Sequence, residues 1–267
     1  MIIKKRDSHA KAQRRKEKLW SELRQIEMKT NRSNCVNNIP DFTTRWSKIK
    51  QIIRTVLPQP VKNLYRVFVP RSMKESFTEV YRCDDWQGGS GHDSTPDTTR
   101  EYRELIEHFL LTHNIKRVVD IGCGDWQFSQ LINWGDVEYL GIDTVQEVVD
   151  ENRRRFGQRY KFECLDVTRE ALPPGDLLLM KDVLQHWPNC EIIKFLPRIE
   201  QYQYAILTND CYPSSVLNAD IAMTGYRPLD LRLPPYSLVA EEILRYGTHS
   251  NQPERLNKLV LLHRSRS

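Results

Sequence analysis

The sequence predicts an α/β protein built on a mostly parallel sheet of seven strands. Strand-like runs alternate with helical ones, the first strand enters a loop with two glycines two apart, and the last two strands form an antiparallel hairpin. Alternating β and α implies parallel strands covered by helices on both faces. With 267 residues, 39% hydrophobic and 9% aromatic, the chain can bury a real core, which excludes global disorder. No apolar run reaches the roughly 18 residues of a bilayer-spanning helix. Met1-Ile2-Ile3 turns basic at Lys4 without an apolar stretch or cleavage site, unlike a secretory signal. The six cysteines stand singly, without metal-ligand spacing, as suits a reducing compartment. The expected location is the cytoplasm, with peripheral membrane contact as an option.

The net charge of +5 hides a division. Residues 1–76 carry 19 Lys/Arg against 6 Asp/Glu, and residues 77–267 carry 21 against 29. The first part is read as a basic helical N-terminal extension and the second as the folded domain. Within the extension, Leu19, Trp20, Leu23, Ile26 and Met28 form a short apolar stripe. Residues 31–41 look like a linker, and Trp46, Ile49, Ile52, Ile53 and Val56 mark an amphipathic basic helix stopped by Pro58 and Pro60.

From Phe77 the elements follow in order. A helical face at Phe77, Val80 and Tyr81 leads into the turn-rich loop Trp86-Gln87-Gly88-Gly89-Ser90-Gly91. A helix is expected over Thr98–Leu111, with Tyr102, Leu105, Ile106, Phe109 and Leu110 inward. Strands are expected at Arg117–Ile121, Tyr139–Ile142, Tyr160–Cys164, Asp176–Met180 and Tyr204–Thr208, and helices near 126–134, 145–156 and 189–201. Glu241–Tyr246 and Lys258–His263 are the terminal hairpin, whose final strand enters the sheet.

The stretch Asp120-Ile121-Gly122-Cys123-Gly124 carries the most chemistry. A buried strand ends in an acid, and the glycines let the backbone turn tightly against a ligand. Asp143 ends the second strand, where a carboxylate can accept both hydroxyls of a ribose. Asp166 stands at the tip of the third strand, and the fourth runs into Lys181-Asp182-Val183-Leu184-Gln185-His186-Trp187. A nicotinamide cofactor asks for G-x-G-x-x-G, and the third position is Gln127. Asp120 would also put negative charge beside a pyrophosphate. S-adenosylmethionine carries an α-ammonium and a sulfonium and no phosphate, which carboxylates suit.

These motifs, in this order, resemble those of the class I S-adenosylmethionine-dependent methyltransferases, over about residues 77–267. One departure is Trp126, where a third glycine is usual. The Trp86–Gly91 loop, Lys181–Pro188 and the segment Gly225–Ser237 look like bacterial methyltransferases acting on surface glycans or small metabolites. The resemblance implies a Rossmann-like sheet and S-adenosylmethionine as cofactor. It implies that Asp120, Gly122, Cys123 and Gly124 hold the methionine moiety, Asp143 and Thr144 the ribose, and Asp166 and Val167 the adenine. Lys181 and Asp182 would border the methyl donor, Trp86 to Ser94 would fold over the methionine end of the cofactor, and Gly225–Ser237 would help form the acceptor pocket. Asp182 and His186 are the catalytic candidates, His186 as base because imidazole titrates near neutrality. No metal is expected.

Blander readings stand beside these. His186 equally suits packing in a first helical turn with a bond to a carbonyl, and the indoles of Trp86 and Trp187 suit lid or core. Arg227 and Asp230 suit simple mutual pairing. The leading function is methyl transfer to a hydroxyl of a glycan or small molecule. A nucleic-acid methyltransferase gains from the basic extension, which suits phosphates or an anionic membrane surface equally. A non-catalytic cofactor-binding scaffold is the remaining class.

Overall fold

A computed structural model describes residues 72–86, 89–211, 218–247 and 257–265. The expectations for the extension before residue 72 lie outside the described residues. Helix α1 (Met73–Arg82) starts at a capping box: Ser72 Oγ accepts from Glu75 N, and the Glu75 carboxylate accepts from Ser72 N. It buries Met73, Phe77 and Val80. Helix α2 (Arg100–Thr112) buries Tyr102, Ile106 and Phe109. Strands β1 (Arg117–Ile121) and β2 (Glu138–Asp143) precede helix α3 (Gln146–Phe156). Strands β3 (Lys161–Cys164) and β4 (Leu177–Lys181) follow. Helix α4 (Asn189–Phe195), continued as a 3₁₀ turn over Leu196–Gln201, precedes β5 (Tyr204–Cys211). Strands β6 (Glu241–Gly247) and β7 (Asn257–Arg264) complete the sheet.

The sheet runs β3-β2-β1-β4-β5-β7-β6. The first five strands pair in parallel, and β7 lies antiparallel between β5 and β6, as the hairpin pattern predicts. Successive side chains on a strand point to opposite faces, so each central strand feeds two cores. Val119, Ile121, Leu178, Met180, Leu207 and Leu261 face one side, with α1 and α4. Val118, Leu177, Leu179, Ile206, Val260 and Leu262 face the other, with α2 and an aromatic layer of Trp126, Trp134, Tyr139 and Phe162. Asp120 falls on this second face by the same alternation. The cysteines among the described residues are free thiols. No helix among the described residues is long and apolar enough to cross a membrane.

One predicted helix does not form. Residues 126–134 hold only a 3₁₀ turn at Ser129–Leu131. Trp126 has φ 60°, which is incompatible with continuing a right-handed helix. Its indole is buried and donates from Nε1 to the Tyr139 hydroxyl at 2.8 Å. Trp134 is anchored in the same layer by donating to the Ser129 carbonyl at 2.9 Å. Trp126, Phe128, Leu131, Ile132 and Trp134 do not share one helical stripe, and burying both indoles on one side takes an irregular path instead. The position where a third glycine is usual thus keeps a left-handed backbone while its side chain fills the aromatic layer.

Candidate active site

Strand order reverses between β1 and β4, because β1 connects to β2 on one side while β4 pairs on the other. Open α/β sheets bind ligands at the carboxyl ends of the strands beside such a point. Here a cavity of about 320 Å³ opens there, lined from α1 and the strand ends by Phe77, Gly122, Asp143, Lys181, His186 and Tyr226 among others.

The β1–β2 side is made largely of backbone. Gly122 and Gly124 adopt φ of 73° and 55°, and a Cβ on them would stand 2.3 Å from Val183 Cγ2 and 2.2 Å from Ser90 Oγ. Only glycine meets both conditions. Gly122 N and Cys123 N donate to the Ile142 carbonyl, closing the turn onto β2. Asp143 accepts from Gly124 N through Oδ2 at 3.1 Å and from Val145 N through Oδ1 at 2.9 Å. Burial pushes its pKa up to about 6 against these bonds. Thr144 Oγ1 is buried on this wall without a hydrogen-bond partner. Val167 and Leu165 supply apolar lining.

Three of the expected contact residues stand back from the lining. Asp120 lies beneath the turn, accepting the Tyr139 hydroxyl at 2.6 Å, and burial raises its pKa to about 6. Cys123 is buried behind the glycines, beside Asn152 and Gly141. Asp166 turns to its own loop, accepting from Thr168 N at 3.1 Å and standing 3.6 Å from Arg169. Gly122, Gly124, Asp143, Thr144, Val167, Lys181, Asp182, His186 and Trp86 do line the cavity.

The loop after α1 closes one side. Ser90 Oγ shares a hydrogen bond with the Tyr81 hydroxyl and accepts from Asp125 N, both at 3.0 Å. Trp86 packs on Phe77, Tyr81 and His186, with ring centroids 6.1, 5.3 and 5.5 Å apart. It is therefore wall and cover together.

The β4–β5–β7 side is made of charged side chains. Lys258, at the start of β7, is 0% exposed. Its Nζ lies 2.8 Å from Asp93 Oδ2, 2.7 Å from Asp182 Oδ1 and 2.7 Å from Asp210 Oδ1. Lys181 Nζ donates to the Asp93 carbonyl at 2.9 Å and pairs with the other oxygen of Asp182. Burial opposes the charge on Lys258, but the three carboxylates outweigh it and raise its pKa. Partial burial opposes the charge on Asp182, yet the two lysines pull its pKa down to about 2. For Asp210 burial prevails over Lys258, and its pKa is raised. The Tyr226 hydroxyl donates to the free oxygen of Asp210 at 2.8 Å.

His186 sits in a 3₁₀ turn, Leu184–His186. Its Nδ1 lies 2.8 Å from the Gly225 carbonyl, an atom that only accepts, so Nδ1 carries the proton and Nε2 keeps a lone pair. Burial lowers its pKa, so the imidazole is neutral at pH 7. The carbonyl-bonded packing expected of His186 is present, and the residue also lines the cavity. Of the Gly225–Ser237 segment, Tyr226 lines the cavity. Arg227 and Asp230 do not pair with each other. Arg227 reaches the Leu184 carbonyl, Asn189 Oδ1 and the Tyr236 hydroxyl, while Asp230 holds Arg232.

Sequence reasoning missed Asp210 and Lys258, and counted Asp93 and Tyr226 only as members of the segments Trp86–Ser94 and Gly225–Ser237. Asp210 carried a signal, an acid at a strand tip like Asp143. Lys258 carried none, since a lysine opening a strand ordinarily reaches solvent.

No family model matches the chain, and no curated protein matches it in sequence. Solved structures do match in fold. The N-methyltransferase NodS of Bradyrhizobium japonicum WM9, in complex with S-adenosylhomocysteine, aligns with TM-score 0.54 at 12% identity, over 73% of this chain and 100% of that one. Magnesium protoporphyrin IX methyltransferase of Synechocystis PCC 6803, with bound S-adenosylmethionine, gives 0.52 at 13%, over 73% and 99%. The 1,6-didemethyltoxoflavin-N1-methyltransferase of Burkholderia thailandensis gives 0.52 at 17%, over 80% and 93%. The chain has the class I methyltransferase fold.

Proposed function

We propose that the protein transfers a methyl group from S-adenosylmethionine to a hydroxyl of a small molecule or glycan. The observation that carries this reading is the cavity at the switch point, where a glycine turn and the Asp143 carboxylate meet a wall of Asp93, Asp182 and Asp210. A pyrophosphate cofactor would meet repulsion from those carboxylates, whereas a sulfonium and an ammonium meet attraction. The unpartnered Thr144 Oγ1 and the space opened by the two glycines fit a polar nucleoside end. Bound there, S-adenosylmethionine supplies an electrophilic methyl group.

Asp143 and Thr144 hold the ribose in this reading, Val167 and Leu165 pack the adenine, and Asp166 stands just outside. Gly122, Gly124 and Lys181 border the methionine end under Trp86. Asp120 and Cys123 act from behind, fixing the turn through Tyr139 and Asn152. His186 Nε2 accepts the hydroxyl proton, and Asp182 holds the lysines beside it. Alignment of the acceptor between His186 and the donor supplies most of the acceleration. Residues 1–76 would dock on an anionic surface, membrane or nucleic acid, by charge.

Calorimetric titration with S-adenosylhomocysteine, and with NADH in parallel, tests the cofactor. Micromolar binding of the first without a signal from the second is expected, and binding of NADH alone would sink the proposal. Asp143→Ala removes two acceptors from the ribose and is expected to weaken S-adenosylhomocysteine by ~10- to 100-fold. Methyl transfer from labelled donor to a panel of hydroxylated acceptors follows. Unaltered turnover in His186→Ala at every pH would remove His186 as base.

A further inference from the structure

Beneath the acceptor side of the cavity two lysines face three carboxylates, so the cluster keeps one net negative charge. Lys258 belongs to the last strand, Asp93 to the loop after α1, Asp182 to the end of β4 and Asp210 to the end of β5. No local interaction would bring these together. An ion cluster whose lysine is fully buried and whose carboxylates are exposed by 28% at most is expensive to desolvate and weak as a source of stability, so its presence in the cavity wall calls for another role. Two further polar groups belong to residues that line the cavity. Trp187 is 1% exposed and its Nε1–H has no partner, and the Tyr226 hydroxyl leans on Asp210 at the cavity edge.

We infer that Lys258 is a positioning residue that gathers Asp93, Asp182 and Asp210 into a net-negative wall, which selects an uncharged or cationic acceptor and stabilises the positive charge that reaches it during methyl transfer. This rests on the methyltransferase reading above and deepens it. When a hydroxyl oxygen forms its bond to the methyl carbon, the carbon–sulfur bond breaks with its electron pair left on sulfur, and positive charge arrives on the acceptor oxygen. The hydroxyl proton then goes to His186 Nε2, and the cationic imidazolium is favoured by the charges of Asp182 and Asp210 and opposed by that of Lys258. A fixed negative wall costs no reorganisation at that moment, which is how preorganised charge lowers a barrier. The same wall repels a carboxylate or phosphate on the acceptor. The unpartnered Trp187 N–H is a donor for an oxygen of a neutral one, and the Tyr226 oxygen, its proton given to Asp210, can accept from a hydroxyl.

The test compares ligands that differ only in charge at the reacting centre. S-adenosylhomocysteine is neutral at sulfur, S-adenosylmethionine is cationic there, and sinefungin places an ammonium where the methyl group stands. Each is titrated calorimetrically into the full-length wild type, Asp210→Asn and Lys258→Met, after circular dichroism has shown which variants fold. Asp210→Asn is expected to weaken both cations by ~10-fold while leaving S-adenosylhomocysteine within about twofold. Lys258→Met, which leaves the wall with two net negative charges, is expected to widen the preference for the cations over the neutral ligand. If it does not fold, Asp210→Asn decides alone. Equal losses for all three ligands, or none, overturn the wall. Failure of all three to bind the wild type overturns the methyltransferase reading itself. In turnover, Asp210→Asn should raise the use of a carboxylate-bearing acceptor relative to its carboxamide by several-fold, and an unchanged ratio overturns the selectivity.

Discussion

On the β1–β2 side of the cavity the surface is set by backbone: two left-handed glycines, two amides on Asp143 and a turn tied to Ile142. On the β4–β5–β7 side it is set by side chains from four separate elements that meet on one buried lysine. The first side is local in sequence, rigid and suited to a ligand shared by many proteins. The second is assembled only when the sheet is complete. That difference teaches where a fold can change its substrate: replacing a side chain on the second side leaves the first standing.

The strongest way to break the comparison is Lys258→Met. Losing the cation leaves buried carboxylates facing one another, which costs about 3–5 kcal/mol. Urea unfolding should show that loss, and it should shrink in acid as the carboxylates protonate. A loss under 1 kcal/mol would mean that the cluster is looser than its distances indicate. Gly122→Ala is next. The new methyl meets Val183 Cγ2 at a φ of 73°, so strain and overpacking together should cost about 2–4 kcal/mol. This variant should also abolish S-adenosylhomocysteine binding, whereas Lys258→Met should spare it if the two sides are independent.

Asp143 and Asp182, one carboxylate on each side, titrate in opposite senses. Asp143, pushed up to about 6 by burial, is protonated more readily in the folded protein than in the unfolded chain. Its contribution to folding is therefore fully present below its ordinary value of about 4 and is lost as pH rises from there through about 6. Asp182, held near 2, contributes stability above its ordinary value that is lost as pH falls through about 2. Ribose hydroxyls need the ionised Asp143, so affinity for S-adenosylhomocysteine should fall by ~10-fold from pH 7 to pH 5. Asp143→Asn should bind more weakly and show no such slope. A wild-type affinity flat across that range would show that Asp143 does not receive the ribose.

How much was legible follows the same divide. The strands were readable because each is a short apolar run bounded by turn residues, and observed ends differ from the expected ones by a few residues at most. The glycine turn and Asp143 were readable because their spacing is local. The helix at 126–134 was not, because a tryptophan in left-handed backbone sets the path and nothing in a pattern of apolar residues announces a positive φ. Asp120 had the right letter at the right spacing, yet strand alternation turns it to the opposite face. Lys258 was unreadable since its meaning depends on β7 lying between β5 and β6 and on the tips of β4 and β5 beside it.

The smallest expected effect is at Tyr226, and it sharpens the comparison most finely. Its hydroxyl donates to Asp210, whose other oxygen already faces Lys258, so Tyr226→Phe removes one hydrogen bond from a carboxylate that keeps an ion pair. The cost should be about 1 kcal/mol or less in stability, because Tyr226 is 47% exposed and water can replace the lost donor. Binding of S-adenosylhomocysteine should not change, since Asp143 and the glycine turn lie on the other side. The acceptor's KM should rise by ~3- to 10-fold, while kcat falls by less. A change in cofactor affinity with the acceptor KM untouched would place Tyr226 on the cofactor side. The boundary between the halves would then have to be drawn through Asp210 rather than between β1 and β4.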